Sequence, residues 1–378
     1  MRNLFRKIRS WRFDYRPLVH VVVYKKNLLH NYNLFKKNIG QNCLWPVLKS
    51  NAYGHGLVEV AKIFDDQQCG YLIVDSYYEA MILRNEGIKT PILIIGFTFN
   101  ENIIKNRLKD ITFVVGDLEQ IDYLSKWVKT QMKVHIKVDT GMNRQGLELG
   151  DFDRARELLL KNKLVILEGV CSHLADGDNV DTEMTLNQIG VWNNLVDKNL
   201  SEESIKYWHL GASSSLFFVK KINGNAVRLG LGLYGFNADS KKKLSLKPAL
   251  EMKSVISSIR KVNKGERVGY NFTFMAEEDM WVATVPVGYF EGVDRRLSNI
   301  GWVKVDGVFC RIVGRVSMNI ISIDVSKIED RQVGQEVQVI GKSFDEKNSV
   351  ESMARLAETI PYEILVHVER KIKRIVRD

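Results

Sequence analysis

A chain of 378 residues with 45% hydrophobic and 26% charged side chains is ordinary globular material with enough apolar content for a full core, and its length favours two domains or one large barrel with an appendage. The net charge of +10 sits unevenly, with basic ends "MRNLFRKIRSWRFDYR" and "ERKIKRIVRD". No aromatic-basic motif accompanies them, so nucleic acid is not expected as a partner; a solvated basic face is the first reading and membrane-surface contact of the N-terminus its rival. Cys43, Cys69, Cys171 and Cys310 are widely spaced and no apolar run approaches the roughly 20 residues that cross a bilayer, so a soluble, cytoplasmic chain without a zinc ribbon or disulfide framework is expected.

In chain order, a strand-like run "LVHVVVY" comes first, and between about residues 44 and 235 short aliphatic runs alternate with longer amphipathic stretches, the pattern of βα units. The runs are "LWPVLK", "YLIVDS", "PILIIG", "ITFVVG", "VHIKVD", "EGVCSH", "YWHLG" and "AVRLG". Eight of them suggest a closed (β/α)8 barrel of the TIM type. Helices are expected at "GLVEVAKIF", "SYYEAMILRNEG", "LEQIDYLSKWVKTQ" and "DFDRARELLLKN", where apolar residues recur every three or four positions. After the lysine-rich link "NADSKKKLSLKP" the texture becomes alternating, as in "WVATVPVGY" and "GWVKVDGVFCRIVGR", with turn pairs such as Asp306-Gly307. That predicts a second, mostly antiparallel β domain.

A barrel carries its chemistry at the C-terminal ends of its strands. Those ends read Lys49 with Tyr53, Lys137 through Asp139 to Arg144, Ser172-His173, His209 followed by "GASSS", and Arg228-Leu-Gly230. Singly, each has a plain structural explanation: a strand-end lysine is usually a surface side chain, and a lone histidine is usually a core residue. Five polar strand ends together point to a site. A partly desolvated lysine can form a Schiff base with an aldehyde, and pyridoxal phosphate needs that lysine, neutral donors for its phosphate and a partner for its ring nitrogen. Ser213, Tyr53 and the backbone around Gly230 could supply those donors. There is no GxxxxGK[ST] motif and no H-E-x-x-H or paired Cys/His spacing, so neither a nucleoside triphosphate nor a catalytic metal is expected.

"VLKSNAYGHG" resembles the cofactor-lysine signature of the alanine racemase family, the fold-type III pyridoxal-phosphate enzymes. "IKVDTGMNRQG", "GVCSHLADGD", "AVRLGLGLYGF", "GERVGYNFTF", "VPVGYFEGVDRRLSNIG", "IVGRVSMN" and "ETIPYEILVHV" resemble the family's further blocks in the same order. The resemblance implies a basic extension over residues 1–17, a strand at 18–25 that joins the C-terminal domain, a barrel over 26–237 that binds pyridoxal 5'-phosphate, and a β domain over 238–378. It implies that Lys49 holds the cofactor and is one proton-transfer base, with Tyr270 of the partner subunit in a homodimer as the other. Arg228 would meet the pyridine nitrogen, with His173 linking it to the tyrosine. Tyr53, Ser213, Gly230 and Leu231 would cradle the phosphate; Arg144 and the backbone of Met318 would hold the carboxylate of a small amino-acid substrate; Lys137 matches a lysine that many relatives carbamylate.

The implied activity interconverts L-alanine and D-alanine for cell-wall precursors. The sequence departs from the family pattern at Asn319, where aspartate is usual, and an amide there could satisfy a substrate hydroxyl, so a serine or broad-specificity racemase is the alternative. Ala212 stands where asparagine is common, and the chain end lacks a usual proline. A decarboxylase of basic amino acids lacks "NAYGHG", and single-domain cofactor carriers lack a β domain bearing Tyr270.

Overall fold

In the computed structural model, residues 15–40, 42–65, 67–177, 182–199, 205–213, 221–237 and 244–378 are described, so most of the basic extension expected at 1–17 lies outside them. The described chain opens with strand β1 (His20–Tyr24) and the helix Lys25–Asn38, then enters eight strands at the eight aliphatic runs. These are β2 (Cys43–Pro46), β3 (Leu72–Val74), β4 (Ile92–Ile94), β5 (Ile111–Val115), β6 (Met132–Lys137), β7 (Val165–Cys171), β8 (Tyr207–His209) and β9 (Ala226–Leu229). All three residues of β3 and β4 and all five of β5 are buried, as strands covered on both faces must be.

Strands β3 to β8 form one six-stranded parallel sheet, and β2 pairs with β9 in parallel. Two seams join these pieces. Leu48 N–H donates to the Ile73 carbonyl at 2.7 Å beside a parallel bridge between Val47 and Ile73. On the other side, Asn225 and Arg228 N–H groups donate to the carbonyls of Trp208 and Gly211, each at 3.0 Å. The result is a closed (β/α)8 barrel, followed by a mostly antiparallel β domain.

The four expected helices form at Leu57–Asp65, Tyr77–Asn85, Leu118–Trp127 and Phe152–Leu160. Two begin where the side chains require: Ser76 and Glu79 make a reciprocal capping box, and the Asp117 carboxylate accepts from Gln120 N–H. The helices Lys25–Asn38 and Glu183–Asn199 were not singled out in the sequence. Asn31, buried in the first of them, shows what it holds: its amide donates to the Leu233 and Lys247 carbonyls and accepts from Lys247 N–H. The described end of the lysine-rich link is thereby tied to the barrel.

By compactness the chain divides into Tyr24–Ala249 with Arg377–Asp378, and Met1–Val23 with Leu250–Val376. In the second unit β1 pairs antiparallel with β10 (Leu250–Val255). The remaining strands are β11 (Ser258–Val262), β12 (Arg267–Val268), β13 (Phe274–Met275), β14 (Met280–Val285), β15 (Trp302–Val305), β16 (Val308–Arg311), β17 (Ile321–Asp324), β18 (Glu336–Ile340) and β19 (Lys373–Arg377). The larger sheet runs β16-β15-β18-β10-β1-β19 and the smaller β11-β14-β17. Asp306 and Gly307 join β15 to β16 with φ of 44° and 83°, the doubly left-handed turn that matches strand twist. Among the described residues no helix is long and apolar enough to cross a membrane, and all four cysteines are free thiols.

Candidate active site

Lys49 follows β2, at the end of the barrel where the polar strand ends collect. Its side chain is 37% exposed, and its amine lies 3.8 Å from Asp75. The four residues after it, Ser50, Asn51, Ala52 and Tyr53, all have left-handed backbones with φ of 51° to 57°. Such a turn costs about 1–2 kcal/mol per non-glycine residue and persists only when the surroundings demand it. Here Glu79 supplies part of the demand, accepting from Ser50 N–H at 2.8 Å and Asn51 N–H at 3.4 Å, while Asn51 accepts from Leu57 N–H. The turn buries Tyr53, whose ring stacks at 4.9 Å on that of Tyr234.

The neighbouring strand β9 delivers the second group. Arg228 is paired in register with Trp45 of β2, and it is 8% exposed. Its guanidinium donates to the carbonyls of Ser172, His209 and Leu210 and to ring nitrogens of His209, at 2.6 Å, and His173, at 3.2 Å. Burial presses its pKa below the usual guanidinium value. Burial, followed by the charges of Arg228, Arg144, Lys137 and Lys49, pushes the His173 pKa down to about 3, so this imidazole is neutral.

Gly230 follows β9. A Cβ added to it would meet the Tyr53 hydroxyl at 3.0 Å and Ser213 Oγ at 3.7 Å, so the absent side chain leaves a small cradle lined by two hydroxyls. Ser213 Oγ accepts from the N–H groups of Gly230, at 2.9 Å, and Gly232, at 3.2 Å. The Gly230 N–H, expected among the phosphate donors, is donated to the serine oxygen in this structure. Leu231, expected beside them, is buried in the turn Leu231–Tyr234. Ser214 and Ser215 lie outside the described residues. Two neutral hydroxyls at a cradle, a lysine just after the adjacent strand and a buried planar donor on β9 fit a phosphorylated aromatic aldehyde such as pyridoxal phosphate.

Lys137 ends β6, within 3.4 Å of the Gln145 amide oxygen. Burial, then the charges of Arg144 and Arg228, lowers its pKa, with Cys171 and Asp139 opposing. Asp139 organises the following loop: its carboxylate accepts from the N–H groups of Gly141, Met142 and Arg144. Arg144 is exposed.

Three expected residues belong to the other unit. Tyr270 sits in the short turn Tyr270–Phe272 between β12 and β13 and is 70% exposed. The Met318 carbonyl accepts from Phe290 N–H at 2.9 Å. Asn319 donates one amide N–H to Glu291 at 2.7 Å, which leaves its second N–H and its Oδ1 as the remaining groups. Sequence reading missed Glu79, His135 and Glu168. The signal for His135 was present: Lys133, His135 and Lys137 alternate along β6 and therefore share a face.

Residues 23–238 match the family described as "Alanine racemase, N-terminal domain" and 249–376 match "Alanine racemase, C-terminal domain". The chain is 34% identical over 375 residues to "Alanine racemase 1" of Caldanaerobacter subterraneus subsp. tengcongensis, covering 96% of each. Its fold superimposes with TM-score 0.89 and 30% identity on the alanine racemase of Bacillus anthracis with bound L-Ala-P, covering 97% of this chain and 96% of that one. A histidine racemase of Leuconostoc mesenteroides subsp. sake matches with TM-score 0.88 and 25% identity over 97% and 99% of the two chains.

Proposed function

The chain belongs to the alanine racemase family, and from that premise we propose that it interconverts L-alanine and D-alanine with bound pyridoxal 5'-phosphate. The observation that carries this reading is the placement of Lys49 just after β2 and of the buried Arg228 on β9, the strand hydrogen-bonded to β2, with the Gly230 cradle following Arg228. The cofactor, when bound, supplies an electron-withdrawing ring that acidifies the substrate α-carbon. Lys49 would hold its aldehyde carbon, Tyr53 and Ser213 its phosphate, and Arg228 its ring nitrogen.

Racemisation requires a base on each face of the α-carbon. Lys49 serves the D face, and Tyr270 of the partner subunit in a homodimer serves the L face. Arg144 pairs with the substrate carboxylate by charge-assisted hydrogen bonds, aided by the Met318 backbone. Arg228 cannot readily give up a proton, so as the partner of the ring nitrogen it would leave that nitrogen unprotonated and would restrain the ring as an electron sink, which would limit side reactions. The lowered pKa of Lys137 suits a lysine that reacts with carbon dioxide, since only the neutral amine is nucleophilic. The product would be D-alanine for peptidoglycan, made in the cytoplasm.

A second reading keeps the machinery and changes the substrate to serine or a broader set. Asn319 favours it: with one amide N–H donated to Glu291, its second N–H and its Oδ1 remain as a donor and an acceptor for a substrate hydroxyl. The deciding test supplies the purified protein and pyridoxal phosphate with L-alanine, L-serine or L-histidine and follows the D-enantiomer by chiral chromatography. Fastest formation of D-alanine is expected; fastest formation of D-serine makes Asn319 the specificity residue, and no product with a bound cofactor overturns both.

A further inference from the structure

Arg228 is a buried cation whose hydrogen-bond partners, among the described residues, are backbone carbonyls and imidazole nitrogens and include no carboxylate. Such a charge is costly unless its surroundings are arranged to receive it. The Cys171 thiol nearby is no counter-charge, because burial pushes its pKa up and keeps it neutral.

Following the hydrogen bonds away from the guanidinium leads along the barrel interior. A guanidinium only donates, so His209 Nδ1, 2.6 Å away, must be the bare nitrogen. A neutral His209 then carries its proton on Nε2, which lies 2.8 Å from His135 Nδ1. That nitrogen must therefore accept, and the His135 proton sits on Nε2, 3.5 Å from Glu168 Oε2. At that distance the last step is looser than an ordinary hydrogen bond, a charge-dipole contact. The carboxylate is itself held: Lys133 donates to Oε1 at 2.6 Å, and the Tyr71 hydroxyl, 2.8 Å from Thr112 Oγ1, donates to Oε2.

The logic runs equally well from the other end. A carboxylate only accepts, so it selects the Nε2–H form of His135, and His135 selects the same form of His209. We propose that Glu168 is a positioning residue for Arg228, acting through His135 and His209 by fixing both imidazoles as Nε2–H tautomers so that a bare Nδ1 faces the guanidinium. In the opposite order, His209 would aim an N–H at a guanidinium N–H in a buried space where neither could find water.

The surroundings suit fixed, neutral rings. Both imidazoles are fully buried. Burial, the largest influence on each, lowers both pKa values; Glu168 opposes this at His135, while Lys133 and Arg228 reinforce it, and at His209 Arg228 and His135 reinforce it. Trp45 walls the chain with its ring 5.0 Å from that of His209 and 6.2 Å from that of His135. Opposite His135 stands Gly169, where a Cβ would come within 2.8 Å of the ring. What Arg228 itself holds rests on the cofactor reading above; the tautomer order does not.

The test is nuclear magnetic resonance of the full-length chain with nitrogen-15-labelled histidines, without and with pyridoxal phosphate. His209 and His135 are expected as neutral rings with a bare Nδ1 and a protonated Nε2. An imidazolium at either, or a proton on Nδ1 of His209, overturns the proposal. In Glu168→Gln the resonances of both rings are expected to shift, and a response confined to His135 overturns the coupling. If that variant does not fold, Lys133→Met, at a side chain 49% exposed, removes one neighbour of the carboxylate and is expected to shift both rings. With cofactor added, Glu168→Gln is expected to displace the absorbance band of the bound cofactor. An unchanged band with shifted rings overturns the effect on Arg228, whereas a wild-type chain that binds no pyridoxal phosphate overturns the cofactor reading and leaves the tautomer result standing.

Discussion

The barrel rim and the β domain hold their candidate residues in opposite ways. On the rim, Arg228 is 8% exposed and engaged by three carbonyls and two imidazoles, and the turn after Lys49 is braced by Glu79. In the β domain, Tyr270 is 70% exposed at the tip of a hairpin and Met318 is 56% exposed. A group that must keep one orientation is over-determined by its own chain, and mutating it risks the fold. A group displayed on a turn carries little stability, so mutating it reports on function almost alone.

The largest effect that sharpens this contrast is expected at Lys49. Lys49→Ala should lower racemisation by about 10³-fold or more, since it removes both the cofactor attachment and one base. Absorbance spectra of the protein mixed with pyridoxal phosphate provide the check, and a retained lysine-linked band would break the assignment. Tyr270→Phe comes next, with removal of the L-substrate α-proton slowed about 10²-fold to 10³-fold relative to the D-substrate. Its unfolding free energy, read from denaturant melts, should change by no more than about 0.5 kcal/mol, as befits an exposed turn residue. Equal isotope effects for both enantiomers would contradict the two-base scheme.

The barrel side should show its dependence on internal polar order as acid sensitivity. Burial alone would raise the Glu168 pKa, but the His135 N–H facing the carboxylate and the hydrogen bonds from Lys133 and Tyr71 outweigh it and hold the value at about 2. A depressed carboxylate contributes stability above its unfolded pKa and loses it as pH falls toward 2; after allowing for screening, about 2 kcal/mol is at stake. His173, neutral in the fold down to about pH 3, binds a proton in the unfolded chain from about pH 6.5 downward. Both groups therefore make stability rise with pH, His173 between about 3 and 6.5 and Glu168 between about 2 and 4.5. Urea melts across that range check the sign, and Glu168→Gln should flatten the lower part of the curve.

The smallest change is a methyl group. Gly169→Ala puts a Cβ against the His135 ring, and the overpacking is expected to cost about 1–3 kcal/mol, with no comparable loss for an alanine at the exposed Gly150, where a Cβ meets nothing within 4 Å. Thermal melts of the two variants measure the difference directly.

The strands of the barrel, and four of its helices, could be read from the sequence because their causes are local: aliphatic runs bounded by turns and apolar residues at three- and four-residue spacing. Lys49, Arg228 and the Gly230 turn were readable as strand-end residues for the same reason. The helix Lys25–Asn38 is anchored by Asn31, whose partners lie about two hundred positions away. Only the folded chain could show that Gly230 N–H is taken by Ser213, that Asn319 is bound by Glu291, and that His209, His135 and Glu168 stand in line. A hydrogen bond between residues far apart in the chain leaves no mark on the spacing of either. Closing the barrel brings β6, β7, β8 and β9 around one interior, and that closure turns separate polar residues into one connected chain.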